Sequence, residues 1–145
     1  MREVRVQDVT FDPGAELTRL EALGGGAVAS FTGLVRGDGG LSELFLDHYP
    51  AMTEGALQAL AEQAVERWRL TGATIVHRGG SLRPGDRIVF VGTASSHRAA
   101  ALEACAYLID RLKIDAPFWK RERLAGEARW VEARASDDEA AARWG

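Results

Sequence analysis

One cysteine, Cys105, occurs in 145 residues. No internal disulfide can form, which agrees with a reducing compartment. The three histidines, His48, His77 and His97, stand far apart, and there is no Cys-x-x-Cys or His-x-x-x-His pair. The sequence therefore offers no metal site, and no cofactor is expected. Walker-type and dinucleotide glycine motifs are missing too; Gly24-Gly25-Gly26 precedes a strand-like run rather than a helix. The basic surplus of a nucleic-acid binder is lacking: 18 lysines and arginines stand against 21 aspartates and glutamates, a net charge of −3. No apolar run nears the ~20 residues of a membrane span. The opening Met1-Arg2-Glu3-Val4-Arg5-Val6 has no apolar signal core, so a cytoplasmic setting is expected, without membrane or nucleic-acid contact. With no repeat and no low-complexity linker, residues 1–145 are expected to form one domain with an ordinary core.

What is present is an alternation of strand and helix signals. Val4, Val6 and Val9 alternate with polar residues, predicting a strand over 2–9. Ala15 to Leu23 predicts a short helix closed by the triple glycine. Ala27 to Val35 is β-rich, and Arg36-Gly37-Asp38-Gly39-Gly40 is a turn. Leu44, Leu46 and His48 share one face of the next strand. Thr53 is the expected cap of a helix whose apolar face is Ala56, Leu57, Leu60, Ala61, Ala64, Val65 and Trp68. Residues 73–78 and 88–91 predict strands around the turn Arg83-Pro84-Gly85-Asp86, with proline placed for type II geometry. A second helix carries Leu102, Cys105, Ile109 and Leu112 on one stripe. Trp130 to Arg134 predicts a last strand, and Ser136-Asp137-Asp138-Glu139 a capping box before a short helix. The order implies a two-layer α+β domain, helices packed on a mixed or antiparallel sheet.

The richest segment is Leu112 to Glu122. Between Arg111 and Arg123 lie five cations and two acids, a local surplus in an acidic chain. Lys113 stands where the helix runs out, and Lys120 just past the Pro117-Phe118-Trp119 elbow that must end it. Locally the simplest reading is a solvated basic helix end complementing the dipole. If the apolar elbow fixes the pair, it suits an anion site or a proton-shuttling lysine. Ser95-Ser96-His97-Arg98 lies at a strand-to-helix junction, where free N–H groups favour phosphate or carboxylate; a plain serine cap is the alternative. Arg36, between glycines at a strand end, is a weaker anion candidate. Cys105 reads as core.

Taken together, these segments resemble the large catalytic subunits of molybdopterin synthase. The residues that carry the likeness are Phe31 to Arg36, Asp47 to Glu54, His77 to Asp86, Ser96-His97-Arg98, Asp110 to Lys113, Ala116 to Glu122 and Trp130 to Arg134, in the family's order over nearly the whole chain. The resemblance implies an α/β-hammerhead type of fold. It also implies a sulfurtransferase that converts a cyclic pyranopterin monophosphate into molybdopterin for molybdenum cofactor biosynthesis. Sulfur would come from the C-terminal Gly-Gly thiocarboxylate of a small ubiquitin-like partner, within a heterotetramer built on a homodimer of large subunits. The last residues, Arg143-Trp144-Gly145, carry no fused ubiquitin-like domain, so a separate donor is expected.

Carried onto this sequence, the resemblance makes Lys113 and Lys120 catalytic. The substrate pocket would comprise Leu34, Val35, Arg36, His97, Arg98, Lys113, Lys120, Arg121, Glu122 and Arg134. Arg36, His97 and Arg98 would hold the phosphate. Leu34 stands where relatives often carry lysine, so it would contribute backbone rather than charge. The loop after Arg36 is short, and Asp47 and Ala51 replace the commoner Glu and Gly; none of these touches a residue assigned to chemistry. A non-catalytic module that binds anions or a partner through the same cleft is the alternative.

Overall fold

The computed structural model describes the backbone of residues 1–124, 127–131 and 135–144, with side chains up to Leu124 except Asp38, and again over 138–144. Along the chain run β1 (Arg2–Gln7), α1 (Pro13–Glu21), β2 (Ala27–Leu34), β3 (Leu41–Asp47), α2 (Pro50–Trp68) and β4 (Gly72–Arg78). They are followed by β5 (Gly80–Leu82), β6 (Arg87–Ser95), α3 (Arg98–Asp115), β7 (Trp119–Leu124), β8 (Glu127–Val131) and α4 (Ala135–Ala142).

The α+β class is the expected one, but the strands form two sheets rather than one. The first has the order β1-β4-β6-β2, with β1 parallel to β4 and the other pairs antiparallel. The second, β5-β3-β7-β8, is antiparallel throughout. The period-two alternation of β6 explains how both faces of the first sheet are used. Val89 and Val91 pack with Leu57, Leu60, Ala104 and Leu108 of α2 and α3. Phe90 and Ala94 point the other way, onto Leu20 of α1 and Phe11. Helices therefore cover both faces of that sheet, which the run of fully buried residues through β4 and β6 requires.

Three local expectations are corrected. Helix α2 begins at Pro50, a residue whose missing N–H and fixed φ suit the first turn, with Tyr49 at the cap position. Thr53 is thus not the cap; it is fully buried inside the helix, and its Oγ1 donates to Pro117 O at 3.3 Å. Leu102 is 59% exposed, because α3 turns Ala101, Ala104, Cys105, Leu108 and Leu112 inward instead. The segment after Pro117 is a strand, β7, where an elbow alone was expected. The Arg83–Asp86 turn is as predicted: Asp86 N donates to Arg83 O at 3.0 Å, and Gly85 sits at φ 90°, the left-handed position a type II turn demands.

Candidate active site

An open cleft of about 720 Å³ lies where the first sheet, the second sheet and the C-terminal end of α3 meet. Its floor is apolar, with Val35, Leu44, Leu46, Val91 and Leu112 among its residues. Among the described residues, Arg36, Lys113 and Lys120 add positive charge to the cleft, and Glu122 and His77 are its other titratable groups. Cations gathered beside an apolar floor attract an anion more strongly than the same cations dispersed in water.

Each cation is placed by a different device. Lys113 occupies the last turn of α3, which Ala116 closes through its N–H to Leu112 O, one residue before Pro117. The neighbouring Arg111 is tied up with Asp115 at 3.0 Å, so it does not compete for the cleft. Lys120 is set by β7, where it lies opposite Leu46 of β3. Arg36 follows Val35, whose N–H donates to Asp86 O at 2.9 Å and whose carbonyl accepts from Gly85 N at 2.8 Å. The predicted turn thereby clamps the chain next to the arginine. A register shift between Gly33 and Leu34 bends the strand end in the same place.

The elbow between the lysines is held from three sides. Phe118 stacks on His77 with centroids 4.0 Å apart at 21°, and the His48 ring leans on it at 5.2 Å. Thr53 holds the carbonyl of Pro117. A Cβ on Gly79 would lie 2.6 Å from His48 Cε1, so glycine there is what lets the His48 ring approach. His77 is a functional candidate that sequence reasoning passed over. It is buried, and its Nδ1 lies 2.8 Å from Arg78 O. Burial chiefly, with Lys120, His48 and Lys113 adding like charge, lowers its pKa to about 4 against the pull of the Arg78 carbonyl. Its sequence signal is its place in the segment His77 to Asp86, and a lone histidine in an apolar strand gives no sign of the cleft beside it.

The other expected site residues divide. Leu34, Val35, Arg36, Lys113, Lys120 and Glu122 share the cleft. Arg121 does not line it: β7 alternates, and the Arg121 guanidinium lies 4.9 Å over the Phe45 ring, on the face away from Lys120. His97 caps the opposite end of α3 and Arg98 opens that helix, both exposed. Arg98 lines a separate depression with Gly26, Ala29 and Leu102. At 1.5 Å per residue, α3 puts about 22 Å between Arg98 and Lys113. Arg134 lies outside the described residues. Cys105 is buried with its Sγ 3.9 Å from Val91 O, and burial pushes the thiol up to about 11. It is core, as expected.

A helix-backed sheet joined to a second antiparallel sheet, with a lysine- and arginine-bearing cleft at the junction, defines the class as an α+β enzyme subunit. Residues 6–115 match the family model for MoaE protein. A molybdopterin synthase catalytic subunit from Ralstonia nicotianae is 52% identical over 100% of this chain and 85% of its own length. A molybdopterin biosynthesis MoaE protein from Burkholderia ambifaria superposes with TM-score 0.86 at 45% identity, covering 99% of this chain and 98% of that one. The fold also recurs, at 20% identity and TM-score 0.74 over 92% of this chain and 91% of the other, in a chain from a Helicobacter pylori complex of subunits 1 and 2 of molybdopterin-converting factor. The chain belongs to the MoaE protein family. It is an enzyme subunit of the molybdopterin synthase type, working in molybdenum cofactor biosynthesis.

Proposed function

We propose that this chain converts a cyclic pyranopterin monophosphate into dithiolene-bearing molybdopterin in the cytoplasm. Each sulfur comes from the C-terminal glycine thiocarboxylate of a small ubiquitin-like partner, so two partner molecules serve each dithiolene. The observation that carries this reading is that Lys113 and Lys120, delivered by a helix end and a strand, share one apolar cleft with Arg36. Both the phosphate ester and the thiocarboxylate are anions, and the cleft offers cations to each. When the thiocarboxylate sulfur attacks the pterin side chain, a C–S bond forms as a C–O bond breaks, and its oxygen leaves with negative charge developing on it. An ammonium group beside it stabilises that charge, and Lys113 can deliver the proton. Water then cleaves the resulting thioester, leaving the sulfur on the pterin and a carboxylate on the partner. Lys120 and Glu122 complete the pocket, and Arg36 holds the phosphate.

His97 and Arg98 enter this reading through a second copy of the chain. They are too far along α3 to reach the cleft of their own chain. Strand β2 is the edge of its sheet, and Phe31, Leu34 and Leu102 are exposed along this side. Covering them with another copy would bury apolar surface and could bring the α3 N-terminus of one chain to the cleft of the other, within a heterotetramer.

The test is single-turnover reconstitution with precursor and thiocarboxylated carrier, product being read by mass. Wild type is expected to form the dithiolene, and Lys113→Ala and Arg98→Ala homodimers to fail. Co-assembled Lys113→Ala and Arg98→Ala chains should regain activity, because each mixed pair holds one intact site. Precursor binding without any product in wild type would return the cleft to an anion-binding module. Mixed pairs that stay inactive would refute the two-chain site.

A further inference from the structure

Arg36, Lys113 and Lys120 recognise negative charge, but they do not tell one small anion from another. His77 supplies a different kind of contact. It stands near the end of β4, opposite Val89 in the sheet, and is among the residues that line the cleft. A backbone carbonyl can only accept, so the 2.8 Å contact with Arg78 O places the ring proton on Nδ1. Nε2 is left with its lone pair. The parallel stack on Phe118 fixes the plane of the ring, and therefore the direction of that lone pair.

Resting on the reading above, we propose that His77 is a specificity-determining residue of the cleft. Its Nε2 accepts a hydrogen bond from an N–H or O–H on the heterocycle of the bound substrate, so that the cleft selects a flat donor-bearing ring joined to an anion over a bare anion. Three features support an acceptor role. Lys113 and Lys120 add positive charge around the ring, and burial disfavours its charged form, so the imidazole stays neutral at working pH. The stack with Phe118 leaves no freedom to swing the ring away. The apolar floor makes an unmet donor on the substrate expensive, so the contact discriminates against rings lacking that donor or presenting it elsewhere.

His77→Phe keeps an aromatic ring against Phe118 and removes the acceptor. Calorimetric titration of the intact protein with precursor and, separately, with inorganic phosphate decides the matter. The variant is expected to bind precursor about 3- to 10-fold more weakly, the net worth of a neutral hydrogen bond. Phosphate binding should be unchanged, and single-turnover rates at saturating precursor should stay within about twofold. Equal precursor affinity, an equal loss for phosphate, or a slower rate with unchanged affinity would each overturn the assignment. Should the variant not fold, 15N spectra of histidine-labelled wild type decide instead. An unprotonated Nε2 whose signal moves with precursor but not with phosphate supports the proposal; a protonated or insensitive one refutes it. Wild type that binds no precursor at all would sink the proposed function, and the His77 role with it, a result distinct from a failure of the His77 contact alone.

Discussion

Acidification should destabilise this fold through a single imidazole. His77 is 6% exposed, and its pKa falls from 6.5 to about 4, through burial first and then through Lys120 on β7, His48 at the end of β3 and Lys113 on α3. In the unfolded chain the same ring takes up a proton near its ordinary value. Between those two pKa values the unfolded state binds more protons, so the stability this imidazole contributes falls as pH drops through the window and is constant above it. At 1.36 kcal/mol per unit, the full shift corresponds to about 3 kcal/mol lost by the acid end. For a chain of this size that is about 6–12 °C in melting temperature. Urea unfolding at a series of pH values, with protein concentration held fixed, measures it directly in wild type and His77→Phe. Carboxylates titrate in both proteins, so the difference between the two curves isolates the imidazole. The wild-type curve should carry an extra downward slope between about pH 6.5 and 4. Parallel curves would show that His77 is not held neutral by the fold, and the account of its burial would be wrong.

Lys113→Ala should nearly abolish turnover and shift stability by less than about 1 kcal/mol, because the side chain is an exposed helix-end lysine. Lys113→Arg should not rescue, since guanidinium keeps the charge but does not release a proton, and Lys120→Ala should lose a larger share through precursor binding. Single-turnover sulfur transfer beside a thermal melt of each variant checks all three; near-normal turnover in Lys113→Ala would remove the catalytic assignment. Cys105→Ser should retain turnover, because the proposed donor is the partner's thiocarboxylate, while losing about 1–3 kcal/mol from the hydroxyl placed in the core. A folded but inactive Cys105→Ser would overturn the donor.

Local rules went furthest where the determinant was itself local. Pro84 and Gly85 specify their turn without help, Pro117 ends α3 on schedule, and the apolar stripe of α2 is the buried one. They failed where a distant partner decides. Whether Trp119 to Leu124 is an elbow or a strand depends on β3, more than seventy positions earlier, and that pairing is what separates Lys120 from Arg121 across the sheet. Leu102 fits a helical stripe by spacing, yet α3 turns Ala101, Ala104, Cys105 and Leu108 inward in its place. The cleft was half legible: Lys113 and Lys120 declared themselves by charge and the elbow between them. Their chemistry came from resemblance, and His77 from geometry alone, since a histidine among Thr74, Ile75 and Val76 looks like any satisfied core residue. The helix length that keeps Arg98 from Lys113 was readable from spacing.

Lys113 and Lys120 are also the only lysines in the chain; every other side-chain cation is an arginine or a histidine. All of its ε-amines therefore stand on one cleft, both exposed to reagents. The amine of Met1 is engaged with Thr71 O at 2.9 Å on the far edge of the first sheet. Reductive methylation with isotopically labelled formaldehyde would thus decorate the two cleft lysines and a remote reference at Met1. The protein carries its own spectroscopic probes in the place where they are wanted, with a built-in control, and a substrate seated between the two ammonium groups would register as a change in two signals while the third stands still.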